Sequence, residues 1–406
     1  MRATQGVLMS ASRWFLLTIV VLLGAALSWW FRPWAERSPS VMTSLMHPDY
    51  RLENFRRMER IFPYRLIPAS DQPFVFVQAP GSLPEHFIHE GQQVAVSEFL
   101  ERTETTGLMI LYQGVQRFER YFHDATEQDR FTSWSVAKSV VATLTAMALK
   151  DGHIRSLTDT VKEYVPELDG EAWGEVAIED LLRMASGIDF DETYDRTFSD
   201  INKLFYRTFL LGQPVRNVVR GHAAARPSGE AFHYISPNTQ ILAWVLESAV
   251  EKPVSAYAAE MLWQPLGMQD DALWSLDNSG VELGFCCLNM SLRDYAKLGQ
   301  LYLQQGFWRG QQLLPENWVT EATQRPEPWL TAGHGYPERG YGYHVWIPKD
   351  PDQEYFFNGV WGQTVWISEK HGVVIAKTSV DPMFREHMAE VISFMRAVSE
   401  HTATAP

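Results

Sequence analysis

Two short apolar hairpins, one near residue 110 and one near residue 370, constrain what this chain can fold into more than anything between them. Residues 107–112 form a continuous apolar strand, Gln113-Gly114 a turn, and residues 115–122 alternate as a returning strand. Residues 363–368 and 373–377 flank a turn at His371-Gly372, and a helix is expected from about residue 385 to 399. Between the hairpins the pattern is helical. In residues 135–150, Val136, Val140, Leu144 and Met147 recur three or four apart, with Gly152 just past the end. Residues 178–184, 239–250 and 292–304 also read as helices. Strands at both ends with helices between them predict an α+β fold: an antiparallel sheet made by the chain ends, flanked by helices, plus a helical lobe.

The N-terminus sets a second constraint. Residues 14–31 carry no charge and, as a helix, would span about 27 Å, close to the hydrocarbon thickness of a bilayer. Trp29, Trp30 and Trp34 cluster at the far end, as interfacial aromatics do. Arg2 and Arg13 precede the run, and Arg32, Glu36 and Arg37 follow it, so charge orients it only weakly. An uncleaved anchor is the expected reading. The alternative is a cleaved signal peptide, with Ala26-Leu27-Ser28 as a small-x-small site. Either exports the rest, and the expected placement is a single pass in the inner membrane with the remainder on the periplasmic side.

The expected organisation is therefore an anchor or signal over residues 1–36, an extension over 37–100 that wraps a neighbouring domain, and the main domain over 101–400. The extension is rich in Pro, Arg and aromatics and shows no sustained period. Of 406 residues, 46% are hydrophobic and 21% charged, too apolar for a disordered chain. A net charge of −14 without basic runs argues against a sequence-independent grip on nucleic acid. The two cysteines, Cys286 and Cys287, are adjacent; their Cα atoms are too close for ordinary disulfide geometry, so they read as small buried residues, with a vicinal redox pair as the minor alternative. No phosphate loop, zinc helix of the H-E-x-x-H kind or G-x-S-x-G elbow is present. His222, His233 and His344 suggest no metal site, and no cofactor is expected.

The chemistry-bearing pattern opens the helix after residue 134. Ser135 falls in its first turn and Lys138 three residues later, on the same face. A serine hydroxyl needs an adjacent base, and a lysine serves as one only when burial or neighbouring cations lower its pKa. The helix N-terminus also aims free N–H groups at the position where an oxyanion would develop. A second element, Phe232-His233-Tyr234-Ile235-Ser236-Pro237-Asn238, precedes another apolar helix. A third, Phe357-Asn358-Gly359-Val360, leads into the last hairpin.

In order and spacing these elements resemble those of the serine hydrolases related to β-lactamases and penicillin-binding proteins. The likeness is to the class C-like branch with its carboxylesterases and 6-aminohexanoate-dimer hydrolases. Connecting phrases such as Leu292-Arg293-Asp294-Tyr295-Ala296-Lys297-Leu298-Gly299 extend it over about residues 106–395. The resemblance implies a β-lactamase/transpeptidase-like fold, with Ser135 as the acylated nucleophile, Lys138 as its proton acceptor and Tyr234 as the tyrosine of a Y-x-N element. Ser236 stands where the family has Asn, able to reach Lys138 less far, and Asn238 is a possible substitute. Gly359 lets the backbone approach the substrate, so that the N–H of Val360 joins that of Ser135 in an oxyanion hole. Phe357 replaces the cation of K-T-G or H-T-G, implying an uncharged ligand end. Tyr194 is either a packed loop aromatic or a donor to the scissile amide nitrogen. The implied activity is cleavage of small, uncharged esters or amides through an acyl-enzyme. Two alternatives stand beside it: a D,D-peptidase or weak β-lactamase, and an inactive binding protein of the same fold.

Overall fold

The computed structural model describes residues 11–32, 37–324 and 327–404; Arg2, Trp34 and Glu36 lie outside them. Its first helix, α1 (Ala11–Phe31), is exposed along its apolar length, and Arg13–Phe31 is long and apolar enough to cross a membrane. A short helix, α2 (Pro39–Thr43), follows, capped by the Ser38 hydroxyl.

The main sheet has eight strands: β1 (Val77–Gln78), β2 (Thr105–Tyr112), β3 (Val115–Tyr121), β4 (Arg339–Tyr341), β5 (Trp346–Pro348), β6 (Glu354–Gly359), β7 (Gln363–Ser368) and β8 (Val373–Ser379). Their spatial order is β4-β5-β6-β7-β8-β2-β3-β1. All neighbours are antiparallel except β1, which joins β3 in parallel. The two expected hairpins thus meet at the centre, where Leu111 pairs with Val374.

The sheet is covered on both sides, which explains why residues 107–112 of β2 are apolar in an unbroken run rather than alternating. Met109 and Leu111 face a core shared with helices α3 (Val136–Lys150), α4 (Ser236–Val250) and α5 (Leu292–Leu303). Leu108 and Ile110 face the opposite core, made with Phe87, Phe99 and the last helix, α6 (Met388–Thr404). Helix α5 lies tight on the sheet because Gly299 has no side chain; a Cβ there would come within 2.5 Å of Val374. At the start of the same helix Ser291 caps the chain, and Asp294 and Lys297 form a wholly buried ion pair at 2.9 Å.

The segment before residue 100 is threaded into this core piece by piece. Tyr64–Ile67 pairs with Ala272–Ser275, His86–His89 forms a hairpin with Gln92–Ala95 against α6, and Phe55, Met58, Ile61, Phe62 and Phe76 are buried. Its lack of a period follows from this placement, since each short piece answers to a different remote partner.

Candidate active site

Helix α3 begins one residue after Ser135, which is 7% exposed. The preceding residue, Trp134, has φ of 42°, an unusual left-handed conformation for a bulky residue. Trp361 beyond β6 is also left-handed, with φ of 65°. Phe55 holds both, its ring 5.1 Å from Trp134 and 5.5 Å from Trp361. Two strained turns are thereby pinned around Ser135 and Val360 by a residue of the N-terminal segment. Gly359 completes the approach: a Cβ there would sit 2.5 Å from the Ser133 carbonyl oxygen and 3.1 Å from the Ser135 nitrogen.

Lys138 is fully buried one turn into α3. Its Nζ donates to Ser135 Oγ at 2.9 Å and to the Phe285 carbonyl at 2.9 Å, and it lies 5.1 Å from the centre of the Tyr234 ring. Burial pushes its pKa down to about 7, although the charge of Glu192 opposes the fall. Tyr234 is half-buried and stacks on Trp346 at 5.3 Å; desolvation pushes its phenol well above the ordinary range, and a hydrogen bond with Ser135 draws it back. Ser135, Lys138 and Tyr234 are thus brought together in one cluster.

The other expected residues fall differently. Ser236 does not turn to Lys138: its hydroxyl donates to Glu192 Oε1 at 2.6 Å and its N–H to Glu192 Oε2 at 2.9 Å. Tyr194 donates to the same carboxylate at 2.9 Å, so Glu192 ties the 187–199 loop to the start of α4. Asn238 is buried with its amide donating to Met184 Sδ at 3.4 Å, and it does not take the place of a Y-x-N asparagine at Lys138. Phe357 does not line the cleft. In the pleat of β6 it shares the side of Gly359, which the helices cover, and its ring packs 4.8 Å from Tyr302. Asn358 faces the cleft instead.

Nor is the site without a cation. Arg339, buried but for 7% of its surface, lies 4.1 Å from the Trp346 ring centre and 4.7 Å from that of Tyr336. Apart from a 3.5 Å approach to Glu338, its Nε and Nη1 have no partner, and neither does Asn358 Oδ1 beside it. Spacing could not reveal Arg339 or Glu192, because each is a lone charge brought in by tertiary structure.

Two cavities meet at Ser135. The larger, about 720 Å³, is walled by aromatic and aliphatic groups including Met42, Phe62, Trp134, Phe205, Phe209 and Phe285. The smaller, about 440 Å³, holds Tyr234, Tyr336, Arg339, Trp346 and Asn358. Tyr194, Val360 and Arg385 border both. His344, between Thr239 and the Leu182 carbonyl, is buried and pushed down to about 3, which keeps it neutral. Among the described residues no cluster of side chains suits a metal ion.

Cys286 and Cys287 are joined by a disulfide, contrary to the expectation of two free thiols. Their Cα atoms are 3.7 Å apart, and Cys287 accommodates the bond in a left-handed conformation with φ of 67°. The pair follows directly on Phe285, whose carbonyl receives Lys138, and Cys286 borders the larger cavity. Iodoacetamide should therefore leave both cysteines unmodified in the native protein and alkylate both after reduction and unfolding. Alkylation without reduction, read by peptide mass spectrometry, would refute the bond.

A helical lobe set against an antiparallel sheet, with Ser135, Lys138 and Tyr234 gathered at the foot of a helix between them, has the fold of the β-lactamase/transpeptidase class. The beta-lactamase family profile matches residues 95–384, and the chain belongs to that family of hydrolases. It is 26% identical over 296 residues to a 6-aminohexanoate-dimer hydrolase of Paenarthrobacter ureafaciens, covering 70% of this chain and 74% of the relative. Its fold is similar to that of a Bacillus anthracis protein provisionally assigned as a 6-aminohexanoate-dimer hydrolase, with a TM-score of 0.81 at 22% identity. That match covers 89% of this chain and 97% of the other. A penicillin-binding protein from Bacillus halodurans shares the fold with a TM-score of 0.58 at 16% identity, covering 73% and 99%.

Proposed function

We propose that the protein cleaves an ester or amide through an acyl-enzyme on Ser135, and that α1 anchors it in a membrane with the catalytic domain exported. The observation that carries the reading is the buried Lys138 Nζ held 2.9 Å from Ser135 Oγ with a pKa near neutrality. In its neutral form Lys138 takes the hydroxyl proton as Ser135 Oγ bonds to the substrate carbonyl carbon. Negative charge gathers on the carbonyl oxygen, where the N–H groups of Ser135 and Val360 would receive it. Collapse breaks the bond to the leaving group, which takes a proton through Tyr234, and water then releases the acyl group from Ser135.

Tyr234 lies with the smaller, polar cavity, so the leaving group belongs there and the acyl group in the larger, apolar one. The test is a fluorophosphonate reacted with the full-length protein: a single adduct on Ser135, absent in Ser135→Ala, is expected. No adduct on folded protein would favour the binding-protein reading.

Arg339 gives the leaving-group side its polarity. A buried guanidinium with unpartnered N–H groups favours an anion on the departing fragment. Arg339→Met should reduce the preference for a carboxylate-bearing leaving group over its neutral amide by roughly 10- to 100-fold in kcat/KM. An unchanged preference would remove Arg339 from substrate recognition.

A further inference from the structure

The wall of the larger cavity is continuous with the place where α1 ends. Met42, Phe209 and Leu210 line the cavity, and the same three residues share with Trp29 and Arg32 the wall of a second surface depression. The length of chain from Arg32 to Met42 caps their separation at about 35 Å. The cavity rim meets solvent with two characters: Thr43, Asp195, Arg385 and Glu386 are exposed polar groups, whereas Met46 is 39% exposed and Tyr206 47%, and Leu211, in the depression shared with α1, is 60% exposed. Exposed apolar stretches of this kind mark surfaces that meet another apolar phase, and here a membrane-length helix ends alongside.

We infer that the acyl chain of a membrane-borne ester or amide enters the larger cavity directly from the bilayer that holds α1, past Met42 and Leu210. This rests on the reading of Ser135 as nucleophile and of α1 as an anchor. The carbonyl lies at Ser135, the hydrocarbon chain extends along Phe205 and Phe209, and the polar head occupies the Arg339 side. Water splits the acyl bond in two steps: Ser135 Oγ takes the acyl group while the head leaves protonated, and hydrolysis then returns the serine and a carboxylic acid.

The test uses full-length protein in phosphatidylcholine vesicles and a series of p-nitrophenyl esters from acetate to dodecanoate. Each methylene buried in the cavity favours the longer chain, so kcat/KM should rise by roughly 10-fold or more from butanoate to dodecanoate. A flat or falling series overturns the inference. Leu210→Arg should lower the dodecanoate-to-butanoate ratio by at least about fivefold, and an unchanged ratio also overturns it. A hexadecanoyl ester placed in the vesicles that carry the enzyme should be cleaved faster than one held in separate vesicles; equal rates would show that substrate arrives through water and count against entry from the bilayer. The underlying reading fails separately, through the absence of any cleavage and of a fluorophosphonate adduct. Cleavage of short esters alone would overturn only the membrane route.

Discussion

Replacing Lys138 with methionine should lower the rate of acylation by roughly 10³-fold or more, and adding Ser135→Ala to that variant should lower turnover little further than Ser135→Ala alone. In the proposed mechanism the two groups act as one unit: Ser135 Oγ is a poor nucleophile until its proton leaves, and a lysine nitrogen stripped of water lies 2.9 Å away. The same geometry fixes a pH profile. Burial holds Lys138 at about 7, so the neutral amine dominates above that pH, and kcat/KM should fall about tenfold for each pH unit below it. Glu192 works against burial by favouring the protonated amine. Glu192→Gln should therefore move the acidic limb to lower pH with acylation retained, whereas acylation would be lost if Glu192 were itself the base. Stopped-flow measurement of acyl-enzyme formation separates these effects from deacylation, and near-normal acylation by Lys138→Met would make another group the base.

The largest effect on stability is expected far from this chemistry, in helix α5. Asp294→Ala leaves the Lys297 ammonium buried with only the Gly267 carbonyl as a partner. It also strips acceptors from the Gln269 and Asp270 N–H groups and the Ser291 hydroxyl. Breaking one side of a buried pair costs about 3–5 kcal/mol, which calorimetry should register as a fall in Tm on the order of 10 °C. The double variant Asp294→Ala/Lys297→Met removes both charges and should recover much of that loss. If the single and double variants unfold together, the pair contributes through packing alone.

Helix α5 also shows why part of the molecule is legible in the sequence. The phrase from Leu292 to Gly299 carries no catalytic group. It is distinctive because a cap, a buried ion pair and a glycine pressed against Val374 are all required within eight positions. The strands of both hairpins and helix α3 were readable for a similar reason: their burial pattern is local and periodic. Ser135, Lys138 and Tyr234 lie at the starts of such elements, and the structure gathers them.

What escaped depends on contacts that spacing does not encode. Phe357 occupies the sequence position of a family cation, but the pleat turns it beneath the helices and hands the cleft to Asn358. The charge reaches the cleft as Arg339, from a separate strand. Ser236 was expected to reach a lysine and reaches Glu192, a carboxylate two residues from the tyrosine already singled out in that loop. Ordinary disulfide geometry describes pairs distant in sequence, whereas a left-handed Cys287 lets neighbours bond.

The pairing of β2 with β8 has a consequence for the order of events during synthesis. Strand β2 is apolar on both faces and is made early, yet one of its two neighbours, β8, lies close to the C-terminus. At about 5–20 residues per second, tens of seconds of translation separate the two strands, and during that interval β3 alone can flank β2. A ribosome that stops before residue 373 therefore releases a chain with an open, sticky edge and no way to close it. Loop-closure entropy over so long a span delays the joining further. The topology of the sheet thus leaves β2 one neighbour short until its last strand has been made.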